Sequence, residues 1–312
     1  YYCYTTSGYY GFYNDTIPCW RSKDFRNWEF VGATIKGDLD HYYWAPEIIH
    51  YNGKYYMFYV ELNKSSWKLM VAESDALDHE FTNCRLLFEG NGYVLDPNVL
   101  VCKDGIYMYY ADLRGIYERI GVVKLKDDLS GVDGEPMILL EPEYDWERNI
   151  TEGPECIEYN GKYYLTYSGS GWEEYSMGYA TSNSPTGPFV KNETPFATEK
   201  NASNVKAPGH HCLFRSPDGK ELWCCYGAVV QHSNGDITRR LYFDRIGFDN
   251  EGKIYMSGPS IGAKMVPSGT NGYVDLALDA TVSVTADFTA KTAQLVHDGN
   301  IDILGNKGEQ WC

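Results

Sequence analysis

Several absences in this sequence exclude whole classes of protein. No run of about 18 consecutive apolar residues is present, which is the length that a membrane-spanning helix requires. Basic residues are scarce: 27 Lys and Arg stand against 43 Asp and Glu, for a formal net charge of −16. A chain with this charge repels phosphate backbones. We therefore expect neither insertion into a membrane nor binding to nucleic acid.

Regular cysteine spacing is absent as well. The nine cysteines are an odd number, and no C-x-x-C pair of the kind that binds zinc occurs among them. We expect most of the thiols to be small buried apolar groups rather than a disulfide framework. One or two disulfides remain the alternative.

Helical periodicity is lacking, whereas aromatic residues are abundant, with 28 Tyr and 8 Trp. Such residues favour strands, and they also stack against the faces of sugars. The segment 51–59 (YNGKYYMFY) returns at 159–167 as YNGKYYLTY, and weaker copies lie at 103–110 and 217–226. Each copy combines a polar turn containing glycine with an aromatic strand, a pattern typical of a tight hairpin.

The copies recur at the interval expected for a propeller. Their glycines lie about 52 to 58 residues apart, close to the length of a four-stranded blade. Residues 1–7 resemble a fifth copy without its turn. We therefore predict an all-β fold, a five-bladed β-propeller over residues 1–266 whose N-terminal strand is missing. The alternative is a β-sandwich.

The composition changes near the end of the chain. Residues 267–272 (PSGTNG) are typical of a linker, and residues 274–311 are rich in Thr and Ala with few aromatics. We predict that residues 267–312 comprise this linker and the beginning of a C-terminal β-sandwich module.

Acidic residues precede the repeated hairpins. Glu152 and Asp96 each lie seven residues before a copy, as does His210, and Glu47 lies four residues before one. Hydrolysis of a glycosidic bond uses two carboxyl groups, and the first strands of several blades bring such groups together. Ordinary turn chemistry is the alternative for Asp96 and Glu152, and a hydrogen-bonded histidine on an inner strand is the alternative for His210. For Glu47 we favour the capping of backbone amides.

Short motifs, in order along residues 1–260, resemble those of glycoside hydrolase family 43. They are RSKDFRNW at 21–28, YWAPE at 43–47, LDP at 95–97, EGP at 152–154, PGH at 208–210 and RRLYFDRI at 239–246. No motif is specific alone, but the ordered set is. The resemblance implies a five-bladed propeller that hydrolyses glycosidic bonds with inversion.

The same resemblance assigns roles to individual residues. Glu152 matches the general acid, and Asp96 matches the carboxylate that raises the pKa of that acid and orients it. Arg239 or Arg240 matches the arginine that reaches the substrate. The remaining matches are Trp44 and Tyr43 in the pocket wall and His210 beside a structural calcium ion at the propeller axis. No cofactor is implied for the chemistry itself.

The general base of the family is not matched within the chain. The resemblance places this Asp in a strand that would precede Tyr1. We therefore expect the 312 residues to fold largely as the family does but to lack the base and its activity.

The sequence predicts an exo-acting glycosidase that removes a terminal pentose, an α-L-arabinofuranoside or β-D-xyloside, from plant-type oligo- or polysaccharides. Insertions at 38–41 and 171–174 would wall a closed pocket and favour exo action. The alternatives are a β-galactofuranoside hydrolase, a fructan hydrolase of related fold and a non-catalytic carbohydrate-binding propeller. We expect a monomer.

The tail carries a second resemblance. Residues 274–278 (VDLAL), with 297–300 (HDGN) and Trp311, are similar to the opening of a discoidin-type carbohydrate-binding module of family 32. A module of this type favours an extracytoplasmic location for the protein.

Overall fold

The structure, a computed structural model, describes residues 1–7, 16–38, 40–90, 92–201, 205–231, 235, 237–260 and 265–272. The chain divides into two compact units. Unit 1 comprises Tyr1–Ser22, Asn27–Gly171 and Gly178–Thr194, and unit 2 comprises Lys23–Arg26, Trp172–Met177 and Pro195–Cys312. Within the described ranges, no helix is long and apolar enough to cross a bilayer.

Unit 1 contains four antiparallel sheets, apart from the first two residues of β14. The strands of each sheet lie side by side in chain order, as in a propeller blade. Sheet one holds β1 (Tyr2–Tyr4), β2 (Pro18–Arg21) and β3 (Glu29–Ala33). Sheet two holds β4 (Tyr42–Tyr51), β5 (Lys54–Leu62), β6 (Trp67–Ser74) and β7 (Thr82–Phe88). Sheet three holds β8 (Val94–Cys102), β9 (Gly105–Asp112), β10 (Arg119–Leu125) and β11 (Met137–Leu140), and sheet four holds β12 (Thr151–Tyr159), β13 (Lys162–Gly169), β14 (Ser176–Ser182) and β15 (Val190–Lys191).

Two-residue Asn-Gly turns join the first two strands of sheets two and four. Asn52 and Gly53 both have a positive φ, 47° and 81°. Asn160 and Gly161 repeat this with 50° and 75°. Two successive positive φ angles define a type I′ turn, which asparagine and glycine adopt at low cost and which matches the twist of the strands. The strongest sequence copies are therefore hairpins, as predicted.

Three apolar cores lie between successive sheets of unit 1. Met57 and Tyr59 of β5 pack in the core between sheets one and two. Phe58, between them in sequence, packs in the core between sheets two and three. In β9, Met108 and Tyr109 likewise enter cores on opposite faces. Because both faces of these strands are buried, they carry continuous apolar and aromatic residues rather than alternating with polar ones.

Unit 2 contains the fifth sheet, formed by β16 (Lys206–Arg215), β17 (Leu222–Gln231), β18 (Ile237–Phe248) and β19 (Ile254–Met256). Phe25 packs on this sheet, with its ring centroid 4.6 Å from that of Phe243. The Ser268 N–H donates to Glu221 at 2.9 Å, and the Ser268 hydroxyl donates to Asp218 at 2.6 Å. The start of the segment predicted to be a linker is thus attached to the fifth sheet.

The five sheets confirm the all-β class and the five repeated blades. The predicted carbohydrate-binding module falls on residues 273–312, which lie outside the described residues. The domain boundary at 266 stays a prediction.

Candidate active site

A β-bulge at an X-Pro pair interrupts the first strand of four sheets. The bulged segments are 44–47 in β4, 95–98 in β8, 152–155 in β12 and 206–209 in β16. The residue before each proline has a positive φ, between 47° and 56°: Ala45, Asp96, Gly153 and Ala207. Proline cannot donate to the ladder, and a bulge is the strand conformation that tolerates it. The Ala-Pro, Asp-Pro and Gly-Pro pairs of the sequence are therefore one repeated backbone feature.

The strand register corrects the predicted alignment of the acidic residues. Tyr159 pairs with Lys162 at the turn of sheet four, and Cys102 pairs with Gly105 at the turn of sheet three. Counting from Lys103 therefore misaligns sheet three by one residue. Glu152 begins its bulge, whereas Asp96 is the second residue of its own. The prediction that these carboxylates hold equivalent positions is wrong.

The equivalent residues, which follow the prolines, are Glu47, Asn98 and Glu155, and they form a hydrogen-bonded network. The Asn98 side-chain amide donates to both carboxylates at 3.1 Å, and its oxygen accepts from the Cys156 N–H at 2.9 Å. Glu47 also accepts from the Val99 backbone N–H, and burial raises the pKa of its carboxyl to about 8. The capping role favoured for Glu47 is confirmed. Because one amide bridges three sheets, this network fixes the relative positions of β4, β8 and β12.

Asp96 reaches the backbone next to Glu152. Its side chain is 5% exposed, and one carboxylate oxygen accepts a hydrogen bond from the Gly153 N–H at 3.0 Å. The positive φ of Asp96, 55°, is the conformation that aspartate tolerates better than most residues. The structure therefore brings the two predicted residues together across neighbouring sheets.

Glu118 is a third carboxyl in this cluster, and the sequence reasoning missed it. Its side chain hydrogen-bonds with Glu152. Burial is the main cause that raises the pKa of Glu118; the hydrogen bond with Glu152 acts in the opposite direction, and the negative charge of Asp96 raises the pKa again. No repeated motif surrounds Glu118, since it ends the connection between β9 and β10. Its only signal in the sequence is an acidic residue two positions before the apolar run that begins at Ile120.

The backbone holds Glu118 beside the start of β12. Its carbonyl oxygen accepts hydrogen bonds from both the N–H and the hydroxyl of Thr151, each at 3.0 Å. Its own N–H donates to the Asn149 carbonyl at 2.9 Å. The connection that leads to it is anchored by an ion pair between Arg114 and the fully buried Asp112. Glu118 and Glu152 are thus adjacent because two strand ends are tied together.

The two predicted wall residues on β4 have different environments. Trp44 is half-buried and meets Trp67 edge to face, with ring centroids 5.9 Å apart. Tyr43 is 2% exposed and packs in the core between sheets one and two. Its hydroxyl oxygen accepts from the Asp38 N–H at 2.8 Å. This placement supports a core role for Tyr43, and Trp44 remains the candidate for the pocket wall.

In unit 2, Gly227 leaves space on the fifth sheet for the side chain of Arg239. A methyl group at Gly227 would come within 2.5 Å of the Arg239 guanidinium, so the glycine leaves room for it. The guanidinium also lies over the Tyr175 ring, 5.5 Å from its centroid. Tyr175 in turn packs directly against Gly209. Arg240 lies on the opposite face of β18, because successive strand residues alternate, and this favours Arg239 as the substrate arginine.

The described residues offer no cluster of side-chain ligands for the calcium ion predicted beside His210. Burial and, to a lesser extent, the positive charge of Arg239 together lower the pKa of His210 to about 4. Calcium takes six to eight oxygen ligands, mostly carboxylates, carbonyls and waters. In the described part of the chain, no group of three or more His, Cys, Asp or Glu side chains could hold a metal ion. The structure gives no support to the predicted calcium ion.

The geometry of unit 1 suits proton donation. Two hydrogen-bonded carboxyls cannot both ionise without strong repulsion, so one of them retains a proton to higher pH than an isolated carboxyl. A third carboxylate, that of Asp96, adds to this effect. Such a proton donor is what the departure of a glycosidic oxygen requires.

Comparisons with known proteins agree with this geometry. The sequence profile of Glycosyl hydrolases family 43 matches residues 1–254. Alpha-L-arabinofuranosidase 43 of Humicola insolens is 27% identical over 62% of this chain and 44% of its own length. An extracellular exo-alpha-(1->5)-L-arabinofuranosidase of Streptomyces chartreusis is 26% identical over 62% of this chain and 64% of its own length. The chain thus spans about half to two thirds of the length of these relatives.

Solved structures share the fold. A thermostable family-43 glycoside hydrolase is similar with a TM-score of 0.75 and 27% identity, covering 86% of this chain and 92% of its own. An alpha-L-arabinofuranosidase from Lactobacillus brevis matches with a TM-score of 0.69 at 20% identity over 84% of this chain and 92% of its own, which shows the fold alone. The five-bladed β-propeller prediction is confirmed. On its profile match, its fold and its clustered carboxyls, the chain belongs to glycosyl hydrolases family 43.

Proposed function

We propose that the protein hydrolyses glycosidic bonds with inversion and releases a terminal pentose from plant-type polysaccharides. One observation carries this proposal: the Glu118 and Glu152 carboxyls share a hydrogen bond beside the charge of Asp96. A protein that only binds sugars has no need for a carboxyl pair that retains a proton. The alternative of a non-catalytic propeller is therefore disfavoured.

In the proposed reaction, Glu152 is the general acid. It protonates the oxygen of the leaving sugar while water attacks the anomeric carbon from the opposite face. Asp96 and Glu118 keep the proton on Glu152 near neutral pH by their negative charges. Trp44 contributes to the pocket wall, and Arg239 contacts the substrate. No cofactor takes part in this chemistry.

The substrate class rests on the relatives. The two relatives described above are named as arabinofuranosidases. A third relative, the Xylosidase/arabinosidase 43A of Humicola insolens, is 28% identical over 69% of this chain and 75% of its own length. These names favour a terminal α-L-arabinofuranoside or β-D-xyloside. The Beta-D-galactofuranosidase xynD of Aspergillus niger is 29% identical over 51% of this chain and 44% of its own length. This relative keeps β-galactofuranosides as the second candidate substrate.

The remaining proposals concern the whole protein. We place the propeller domain at residues 1–266 and the linker with its sugar-binding module at 267–312. The binding partner is an oligo- or polysaccharide, and the protein acts as a monomer. An extracytoplasmic location follows from the proposed module, and the Streptomyces chartreusis relative is named as extracellular.

The acid role is tested with Glu152→Gln in the complete protein. Turnover of a natural disaccharide, a poor leaving group, is expected to fall by about a hundredfold or more, since general acid catalysis contributes at least that much. Turnover of an activated aryl glycoside is expected to fall far less, because its phenolate leaves without protonation. The matched control is Glu158→Gln, an exposed carboxyl on the same strand. Equal losses on both substrates would remove Glu152 from this role.

Exo action and the sugar are tested on polymers. Digestion of arabinan and of xylan is expected to release monosaccharide from the first time point, which chromatography of the products would show. Mixed oligosaccharides at early times would contradict exo action without affecting the acid assignment.

A further inference from the structure

Cys212 and Cys225 lie directly opposite one another on neighbouring strands of the fifth sheet. In the register of β16 and β17 they are Cα partners. None of the eight cysteines among the described residues forms a disulfide. Cys212 is exposed and Cys225 is half-buried. Only three of the eight described cysteines, Cys19, Cys156 and Cys224, are buried, so the prediction that most of the thiols are buried is wrong. An exposed thiol that lies opposite a second thiol differs from a buried one because reagents in solution can reach it.

The backbone geometry of this pair suits a covalent link. Directly opposed residues of an antiparallel pair have Cα atoms about 4.5 or 5.5 Å apart, depending on the hydrogen-bonding pattern. Both values fall within the range of about 4.4 to 6.8 Å that a disulfide spans. Opposed side chains also project from the same face of the sheet. The spacing of the two strands is therefore compatible with a bond between the two sulfurs.

The neighbouring Cys224 provides a contrast within the same strand. It pairs with Leu213 rather than with a cysteine, and it is buried. Since successive residues of a strand alternate between faces, Cys224 projects away from Cys212. The register therefore selects one partner out of two adjacent cysteines.

We propose that Cys212 and Cys225 form a cross-strand disulfide when the protein meets a small-molecule disulfide. The Cys212 thiolate attacks one sulfur of that disulfide, forms a mixed disulfide and releases one small thiolate. The Cys225 thiolate then attacks the Cys212 sulfur and displaces the second small thiolate. The two cysteines lose two electrons and two protons, which reduce the small disulfide to two thiols.

The link would lie next to the irregular part of the ladder between β16 and β17. Regular register is lost between Lys206 and Gly209 and again between Gly209 and Cys212. Cys212 follows His210 by two residues. Cys225 precedes Gly227 by two residues, and Gly227 is the residue that leaves space for the Arg239 side chain. A disulfide at this point joins the two strands that carry these groups. Oxidation is therefore expected to raise the thermal stability of the sheet, because a cross-link restricts the unfolded chain.

The test treats the folded protein with glutathione disulfide, alkylates the remaining thiols and maps the peptides by mass spectrometry. We expect one cross-linked pair of peptides containing Cys212 and Cys225. Cys84, which is exposed and has no cysteine opposite it in the described strands, is expected to carry glutathione as a mixed disulfide. The melting temperature is expected to rise on oxidation and to return on reduction.

Two variants distinguish the partners, because the adjacent cysteines fall in one peptide. Cys224→Ser is expected to keep the cross-link, and Cys225→Ser is expected to abolish it and leave Cys212 carrying glutathione. A cross-link that survives in Cys225→Ser would overturn the proposal. So would a wild-type protein in which Cys212 retains glutathione after oxidation. Fragmentation of the wild-type cross-linked peptide gives the same answer should either variant fold poorly.

Discussion

Replacing Glu118 by glutamine removes one charge from the carboxyl cluster and leaves its frame in place. The hydrogen bonds that hold this residue use its backbone N–H and carbonyl, which the substitution does not alter. Glutamine also retains a side chain of the same length beside Glu152. The variant therefore changes electrostatics with little change in fold.

The expected magnitude follows from Coulomb's law for two neighbouring carboxylates. Two carboxylates about 4 Å apart repel by about 4 kcal/mol at an effective dielectric constant of about 20, which corresponds to about 3 pKa units. Glu118 is half-buried, so water screens part of this repulsion, and we expect a shift of about 1 unit. The glutamine amide also donates to an ionised Glu152, which acts in the same direction. The alkaline limb of the pH–rate profile is therefore expected to move to lower pH.

The assay measures kcat/KM against pH in the complete protein, as for Glu152→Gln, on a substrate with a poor leaving group, because only such a substrate needs the proton. Asp96→Asn is expected to move the same limb in the same direction. The matched control is Glu141→Gln in the neighbouring strand connection, where the carboxyl is 56% exposed and pairs with Arg119. A limb that stays in place in Glu118→Gln, or moves to higher pH, would refute the shared proton.

Two further substitutions test the other parts of the site. Asn98→Ala removes two hydrogen bonds to carboxylates and one from a backbone N–H. We expect unfolding by denaturant to show that the free energy of unfolding falls by about 4 kcal/mol. A fall of less than about 1 kcal/mol would show that the network does not stabilise the fold. Gly227→Ala places a methyl group 2.5 Å from the Arg239 guanidinium, so KM on an aryl glycoside is expected to rise with little change in melting temperature. Gly131→Ala, where the added methyl would meet only the end of a lysine side chain at 4.0 Å, is its control, and an unchanged KM in Gly227→Ala would contradict the role of Arg239.

The repeated blades were predictable because their causes are local. An Asn-Gly pair adopts the type I′ turn by its own conformational preference, and the aromatic runs beside it have two buried faces to fill. The spacing between the glycines of these turns then predicts the number of blades. The choice of Glu152 and Asp96 was also accessible, since Asp96 precedes a proline and Glu152 precedes a Gly-Pro pair in an ordered set of motifs.

The alignment of the blades was only partly predictable. The register of β8 is offset by one residue from the spacing read from the hairpin copies, and this separates Asp96 from the position of Glu152. A shift of one residue along a strand sends a side chain to the other face. Sequence spacing alone does not reveal such an offset where a turn copy is weak.

The sequence by itself determined the fold class, the hairpins and the bulged X-Pro positions, because turn geometry, proline chemistry and apolar strands act within a few residues. The tertiary structure alone decided which groups meet. Glu118 becomes the partner of Glu152 through ties between two strand ends, and Asn98 joins carboxylates from two other sheets. Arg239 is distinguished from Arg240 by the face of β18 on which it lies. These contacts join residues far apart in the chain, and their existence depends on strand register and sheet packing, which no local preference encodes.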